Sequence, residues 1–296
     1  MIGIDWGTSF FRAFRIDAAG VVSERRAAPR GILAVASGRF EEELRRQVGD
    51  WIAAGERHVL MSGMIGSRQG WQEVPYVPCP AGLPEIAGGL ARIPCEGVEV
   101  RVVPGLACED AAGTPEVMRG EETQLLGVAA EIGGTALACL PGSHGKWARL
   151  EDGRIARFET YFSGEAFAAL RLHTILGRLM REGAGCDADA FDRGVARAGE
   201  AGHLLHHLFG VRTLGLAGRL GEEAAASYLS GLLIGHEVRA ALPAGGAEVH
   251  LIGAASLCGL YARAIAAAGA RAKLHGEEAA ERGLALIGRE VGSGGR

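Results

Sequence analysis

Residues 1–16 read MIGIDWGTSFFRAFRI, and this stretch decides the fold. Met1 to Asp5 predicts a short apolar strand, Gly7-Thr8-Ser9 predicts a turn, and Phe10 to Ile16 predicts a second strand. After another tight turn, Val21 to Arg25 predicts a third strand. The chain therefore opens with a three-stranded meander whose first turn carries glycine and hydroxyl side chains.

A second segment of the chain repeats this order of elements. Thr135 to Leu140 predicts an apolar strand, Pro141 to Gly145 a turn, and Lys146 to Leu150 and Arg154 to Phe158 two further strands. Internal similarity of this kind indicates duplicated domains. We expect an N-terminal domain at residues 1–112 and a C-terminal domain at 113–296, with the last helix free to pack on the first domain.

The remaining pattern places the chain in the mixed α/β class. Residues 74–95 are rich in proline and glycine and predict an irregular surface segment. Apolar spacing predicts helices over 40–53, 121–132, 167–180, 222–242, 255–268 and 277–287, and buried strands over 58–61, 98–103, 248–252 and 270–274.

Composition excludes several classes of protein. With 296 residues, of which 48% are hydrophobic and 22% charged, the chain is globular rather than disordered. A net charge of −4 implies no large basic surface, so no nucleic-acid partner is expected. Charged residues, Glu131 and Arg263, interrupt the two longest apolar stretches, so no membrane partner is expected. Six cysteines without a CxxC pair, and no signal-peptide pattern, predict a cytoplasmic protein with reduced thiols.

Two glycine-hydroxyl turns are suited to binding phosphate. Glycine lets backbone N–H groups approach an anion, and hydroxyl groups add donors. In the first turn the Asp5 carboxylate can also hold Mg²⁺. In the second turn Ser143 adds a hydroxyl, and Lys146, one of two lysines in the chain, adds a point charge. Each turn by itself is also typical of a structural turn without a ligand, and Lys146 by itself is typical of a solvated surface lysine. The two turns together predict a polyphosphate ligand.

Arg119-Gly120-Glu121-Glu122-Thr123 opens the helix predicted over 121–132. Carboxylates in a first turn stabilise the helix dipole, which is a sufficient structural reason for them. The functional alternative is a general base for a substrate hydroxyl, with Arg119 binding an anionic substrate.

Five segments, in order along nearly the whole chain, carry a family resemblance. They are Asp5 to Gly7; Ser62 to Ser67 with Gly70-Trp71 and Pro75-Tyr76; Val117 to Gln124; Pro141 to His144 with Lys146-Trp147; and Leu229 to Gly235 with Glu237-Val238. Together they resemble the 2-dehydro-3-deoxygalactonokinase family of the sugar kinase, heat-shock-protein-70 and actin superfamily. Met118 to Gln124 is the most specific of them.

The resemblance implies an actin-like ATPase fold, which is also called ribonuclease H-like, of two duplicated domains with ATP and Mg²⁺ in the cleft. It implies transfer of the γ-phosphoryl group of ATP to the 6-hydroxyl of 2-dehydro-3-deoxy-D-galactonate, a step of galactonate degradation. The partner implied is this small sugar acid. Self-association into a homodimer stays open.

The resemblance also implies roles for the two phosphate turns. Asp5 organises Mg²⁺, and Gly7 and Thr8 bind the phosphates. Gly142, Ser143 and His144 match the second phosphate motif, and Lys146 adds its charge beside it. Gly253 and Ala254, after the apolar strand at 248–252, stand where the superfamily has its adenosine motif.

The acceptor site is implied in the same way. Related sugar kinases have an Asp after a glycine at the start of the helix that precedes the second phosphate hairpin. Here that place holds Glu121 and Glu122, so Glu121 is favoured as the base, Glu122 is second and Asp110 third. Ser67, Trp71 and Arg119 are expected to bind the sugar acid. For Ser67 a turn cap, and for Trp71 core packing, are the structural alternatives.

Three other functions are alternatives to this one. A kinase of the same fold could act on another small sugar acid, and residues 62–76 would then set the substrate. A nucleotide-dependent sensor could use the same fold without catalysis. A dinucleotide-dependent oxidoreductase is disfavoured, because no GxGxxG follows the first strand.

Overall fold

The computed structural model describes residues 1–243 and 247–293. Its strands are β1 Ile2–Trp6, β2 Phe11–Ile16, β3 Val22–Ala28, β4 His58–Ser62, β5 Val77–Pro78, β6 Ala91–Ile93, β7 Glu99–Val102, β8 Leu106–Glu109, β9 Pro115–Met118, β10 Thr135–Leu140, β11 Gly145–Glu151, β12 Arg154–Tyr161, β13 Glu248–Ile252 and β14 Arg271–His275. Its helices are α1 Phe40–Ala53, α2 Leu83–Gly88, α3 Glu121–Ile132, α4 Ser163–His173, α5 Ala188–Ala198, α6 Leu204–Leu216, α7 Ala225–Ala241, α8 Ala255–Ala267 and α9 Ala279–Ser293.

The strands form three sheets, two of which share one order. The six-stranded sheet runs β3-β2-β1-β4-β7-β6, and the five-stranded sheet runs β12-β11-β10-β13-β14. In both, a meander of three consecutive strands is followed by a strand that lies beside the first one. β1 pairs in parallel with β4, as β10 does with β13. The third sheet, β5-β8-β9, is small.

The chain divides into two compact units. The first contains Met1–Ala136, Ala148–Glu159 and the chain from Glu277 onward, and the second contains Leu137–Trp147 and Thr160–Gly276. The duplicated domains expected at residues 1–112 and 113–296 stay a prediction.

The first unit is built on the buried strand β1. Trp6 is fully buried at its end, with its ring edge-on to Phe11 and Phe40, and its Nε1 donates to the Arg30 carbonyl at 2.9 Å. Helix α9 packs against both α3 and β1. A Cβ at Gly127 would lie 2.0 Å from the Ala279 carbonyl oxygen, so α3 and α9 touch backbone to backbone at this glycine.

In the second unit, glycines allow the same close backbone contact between α5 and α7. A Cβ at Gly194 would lie 2.2 Å from the Tyr228 carbonyl oxygen, and one at Gly231 would lie 2.0 Å from that of Phe191. These glycines serve close helix packing. The contact fixes α7, which carries Glu237 under the second phosphate turn.

Several local predictions need correction. Residues 74–95 contain β5, α2 and β6 rather than irregular chain, and the helix expected over 167–180 runs instead from Ser163 to His173. Helices α5 and α6 were not predicted. No helix in the described ranges combines the length and apolarity needed to cross a membrane.

Candidate active site

Two strand ends and a helix start meet in the first unit. Strand β4 ends at Ser62, and Gly63 follows with φ +95°, while Gly120, with φ +108°, precedes α3. A Cβ at Gly63 would lie 2.8 Å from the Trp6 carbonyl oxygen and 3.3 Å from Asp5 Oδ1. A Cβ at Gly120 would lie 3.2 Å from Gly63 Cα. Glycine at both positions therefore lets the start of α3 approach the end of β1.

Glu122 lies in a fully buried polar network at this point. Its Oε2 accepts the Gly120 N–H at 2.6 Å, and its Oε1 accepts the Thr123 hydroxyl at 2.9 Å. Ser62 Oγ lies 2.7 Å from Thr123 Oγ1. Burial, and to a smaller extent the neighbouring Glu121 charge, raises the pKa of Glu122 to about 7. Because Glu122 is fully buried and its described contacts lie at the start of α3, these contacts fit a structural role there.

Glu121 has a different environment from its neighbour. It is half-buried, and its Oε2 accepts the backbone N–H of Arg119 at 3.0 Å. The third candidate, Asp110, caps the hairpin between β8 and β9, where its Oδ1 accepts the N–H groups of Ala112 and Thr114 at 2.8 Å each. Of the three carboxylates, Glu121 combines partial exposure with a place at the strand ends.

Arg119 is a buried cation that lies between two parts of the segment 62–76. Its Nη2 donates to the Val74 carbonyl at 2.7 Å, and its guanidinium carbon lies 4.5 Å from the centre of the Tyr76 ring. A Cβ at Gly66 would lie 3.0 Å from Nη1. Within the described ranges, Nε and Nη1 of Arg119 and the hydroxyl of Ser67 are buried without a hydrogen-bond partner. A buried polar group without a partner costs about 1–3 kcal/mol, so a ligand that supplied one would recover that free energy.

The other substrate candidate, Trp71, is half-buried and packs against the core of the first unit. Its backbone N–H donates to the Ile65 carbonyl at 2.9 Å, which closes the loop on itself. These contacts support the core-packing alternative, and the expected role in substrate binding stays a prediction. The role of Ser67 likewise stays a prediction, although its unpartnered hydroxyl does not cap a turn.

The first phosphate turn is fixed from behind. The carbonyl oxygens of Gly7, Thr8 and Ser9 accept N–H groups from Ile32, Leu33 and Gly31, respectively. A Cβ at Gly31 would lie 2.2 Å from the Thr8 carbonyl oxygen. The turn therefore directs its carbonyl groups into the protein and leaves the side chains of Thr8 and Ser9 exposed, as an anion site requires.

Asp5 forms an ion pair that the sequence did not predict. Arg12, its partner across β1 and β2, places Nη2 2.5 Å from Asp5 Oδ2. The Asp5 side chain is 12% exposed. In the described part of the chain no three His, Cys, Asp or Glu side chains cluster as a metal site. A Mg²⁺ ion held by one carboxylate and by phosphate oxygens still fits Asp5, because Mg²⁺ commonly uses few protein ligands.

In the second unit, the other phosphate turn borders a cavity of about 600 Å³. Gly142 and Ser143 line it together with Ser163 and Gly164, and Leu257 and Leu260 of α8 line its apolar part. Gly253, with φ +139°, and Ala254 lead into α8 but do not line this cavity. The cavity therefore connects the second phosphate turn to the helix that follows the expected adenosine motif.

Lys146 and Glu237 lie beneath this turn. Lys146 is 5% exposed, and its Nζ donates to the His144 carbonyl at 3.4 Å, so the alternative of a solvated surface lysine is wrong. Glu237 is also buried and accepts Trp147 Nε1 at 2.8 Å and the Tyr261 hydroxyl at 2.9 Å. Burial raises its pKa.

Sequence reasoning missed the supporting residues of both units. Tyr76 and Glu237 were noted as parts of matching segments, but nothing in the linear sequence places Tyr76 under Arg119 or Glu237 beside Trp147. Glu165 pairs with His144, which is 21 residues away. The one available signal was that Tyr76 and Glu237 lie inside segments that carry the resemblance.

Comparison with known proteins identifies close relatives of this chain. The family model described as 2-keto-3-deoxy-galactonokinase matches residues 5–287. A Rhizobium meliloti protein described as a probable 2-dehydro-3-deoxygalactonokinase is 38% identical over 295 residues, covering 97% of this chain and 96% of the relative. An Escherichia coli protein described as 2-dehydro-3-deoxygalactonokinase is 34% identical over 247 residues, covering 80% and 78%.

Solved structures agree with these relatives. The crystal structure of a Sinorhizobium meliloti protein described with the same enzyme name has a TM-score of 0.90 at 37% identity, covering 98% of both chains. The activator of the 2-hydroxyisocaproyl-CoA dehydratase from Clostridium difficile, with bound ADPNP, has a TM-score of 0.52 at 10% identity, covering 99% of this chain and 96% of that one. The second likeness concerns the fold alone. The expected α/β fold of the actin-like ATPases is confirmed.

Proposed function

This chain belongs to the 2-keto-3-deoxy-galactonokinase family, and we propose that it transfers the γ-phosphoryl group of ATP to the 6-hydroxyl of 2-dehydro-3-deoxy-D-galactonate. The structural observation that carries the proposal is the pairing of a buried cation with a half-buried carboxylate at the start of α3. Arg119 keeps two buried guanidinium nitrogens without a partner in the described ranges, and Glu121 lies two residues further on. An acid substrate with a reacting hydroxyl needs both kinds of group.

Arg119 would bind the carboxylate of the sugar acid. A guanidinium forms strong charge-assisted hydrogen bonds with carboxylates, and those bonds are strongest where water is excluded. Its position is held by the Val74 carbonyl and by the ring of Tyr76. The Ser67 hydroxyl, which also lies buried without a described partner, would add a second donor to the acid.

Glu121 would act as the general base that orients the 6-hydroxyl and takes its proton. Phosphoryl transfer depends mainly on alignment and on neutralisation of charge, and such a base contributes a further part of the rate. Glu122 is less suited to this role, because both of its oxygens are occupied within a fully buried network. We therefore assign Glu122 to the positioning of Glu121 and of the first turn of α3.

The donor phosphates would be bound by the two glycine turns. In the first unit Gly7 would let the phosphates approach the backbone of the turn, and Thr8 would supply a hydroxyl donor. Asp5 would hold Mg²⁺, which neutralises charge on the phosphates when bound. In the second unit Gly142, Ser143 and His144 would bind phosphate oxygens, with Lys146 adding positive charge. The cavity beside Gly142 has the size and the apolar wall that a nucleoside requires, and Gly253 and Ala254 would support it through α8.

The test is ADP release in a coupled assay with Mg·ATP. The acceptors are 2-dehydro-3-deoxygalactonate, its gluconate epimer and simple neutral sugars. Selective turnover of the galactonate compound supports the proposal. Turnover of another acid alone would keep the kinase activity and overturn the substrate, while ATP binding without any turnover would favour a nucleotide-dependent sensor.

Two further features belong to this proposal. A kinase of sugar-acid degradation with reduced thiols would work in the cytoplasm. A homodimer would bury exposed apolar side chains, and α6 offers Leu205, Phe209 and Leu216 at helical spacing. Sedimentation velocity with and without ATP measures this state directly.

A further inference from the structure

The segment Phe162 to Glu165 has no role in the proposed reaction so far, yet it touches the second phosphate turn. A Cβ at Gly164 would lie 2.3 Å from the Gly142 carbonyl oxygen and 2.7 Å from Ser143 Cα. The Glu165 backbone N–H donates to the Ser143 carbonyl at 3.0 Å. The first turn of α4 is therefore packed directly on the phosphate turn, with no room for a side chain at Gly164.

The same segment holds the imidazole of His144 by its edge and by its face. His144 Nε2 lies 2.5 Å from Glu165 Oε2. The Phe162 ring stacks on the imidazole, with centroids 5.5 Å apart and planes 20° apart. Two contacts at right angles to each other leave the ring little freedom to rotate, although His144 and Glu165 are each about half exposed.

The hydrogen bond also determines which nitrogen of His144 carries a proton. A carboxylate accepts, so Nε2 must donate to it, and the other ring nitrogen, Nδ1, is left for a further contact. The imidazole beside the phosphate turn is therefore held in one orientation by Glu165 and Phe162.

We propose that Glu165 is a positioning residue for the ATP phosphates, which acts through His144 by fixing the orientation of its imidazole beside the phosphate turn. The inference rests on the proposed function and deepens it, because it assigns the Phe162–Glu165 segment to the phosphoryl donor rather than to the sugar acid. The alternative is an ordinary surface ion pair, which would contribute little to stability and nothing to nucleotide binding.

The first experiment is ¹⁵N NMR of histidine-labelled protein, which reports the protonation of each ring nitrogen without any turnover. The chain has nine histidines, and the spectrum of His144→Gln assigns the His144 signals by their loss. We expect a protonated Nε2 on His144 in the wild type and a changed Nε2 signal in Glu165→Ala. Identical His144 signals in the wild type and in Glu165→Ala would overturn the proposal.

The second experiment is a double-mutant cycle on ATP binding and turnover. Glu165→Ala is expected to raise the KM for ATP roughly threefold to tenfold, with the KM for the sugar acid unchanged. Because Glu165 acts through His144, the double variant His144→Ala/Glu165→Ala should match His144→Ala within about twofold. Effects that multiply independently, or a change in the KM of the sugar acid alone, would refute the assignment.

A matched control and a binding assay separate this inference from the proposed function. Glu200→Gln removes a carboxylate that pairs with Arg197 instead, and it should leave both KM values unchanged. Calorimetric binding of a non-hydrolysable ATP analogue to the same variants does not need an acceptor. If the wild type phosphorylates no sugar acid but Glu165→Ala still weakens analogue binding, the proposed reaction fails and the positioning role stands.

Discussion

The buried carboxyl group of Glu122 predicts how the stability of this protein depends on pH. Its pKa is raised from the ordinary value of 4.5 to about 7, mainly because the folded protein removes it from water. Replacing it with glutamine removes the ionisation but keeps the shape. The amide oxygen can still accept the Gly120 N–H, and the amide nitrogen can donate to the Thr123 oxygen, so the variant should fold.

The sign follows from proton binding. Between pH 4.5 and 7 the folded state keeps a proton on Glu122 that the unfolded state has released, so the folded state loses relative stability as pH rises. The gap between the two pKa values corresponds to roughly 3 kcal/mol, at about 1.4 kcal/mol for each pH unit. This contribution is fully present below pH 4.5 and is lost once the pH has risen through about 7.

The assay compares thermal unfolding of the wild type and of Glu122→Gln from pH 5 to pH 8. Other titrating groups are common to both proteins and cancel in the difference. Relative to the variant, the wild type should lose roughly 4–5 °C in Tm over this range. A Tm difference that stays constant with pH would refute the reasoning, since it would mean that Glu122 is ionised throughout.

Three further predictions concern the reaction. Glu121→Gln should lower kcat by about 10²–10⁴ with an unchanged Tm, and near wild-type turnover in both Glu121→Gln and Glu122→Gln would contradict a base at this helix start. Arg119→Lys should raise the KM for the sugar acid roughly tenfold or more in steady-state kinetics, because a lysine lacks the forked donors; the control Arg68→Lys, at a side chain 86% exposed, should change nothing. Gly31→Ala should raise the KM for ATP and lower the Tm, because its Cβ would meet the Thr8 carbonyl. The control Gly49→Ala in α1, where the added Cβ has open space around it, should leave the KM for ATP unchanged. Equal KM values for the two variants would argue against a role of Gly31 in supporting the turn.

The strands around both glycine turns were predictable from sequence because their information is local. The run from Met1 to Ile16 has two apolar segments separated by a glycine turn, and β1 and β2 form where this pattern predicts strands. The same holds for β10 to β12. The expected membership of the sugar-acid kinase family was also based on short motifs that follow one another along the chain. The family match over residues 5–287 confirms it.

The helical part of the second unit was less predictable. Helices α5 and α6 were missed, and α6 has apolar residues on all sides, so it shows no clear periodicity. The sequence also gives no reason for several glycines within helices. Gly127, Gly194 and Gly231 lack a side chain because another backbone lies within contact distance, and only the packed structure contains that reason.

The sequence by itself determined the α/β class, the two phosphate turns, the acidic start of α3 and the family. Tertiary structure alone distinguished between neighbours that the sequence treats alike. It buried Glu122 and left Glu121 half exposed, placed Tyr76 beneath Arg119, and paired Glu165 with His144. The physical reason is that a residue type and its spacing follow from the chain, whereas burial, charge partners and protonation depend on groups that only folding brings within a few ångströms.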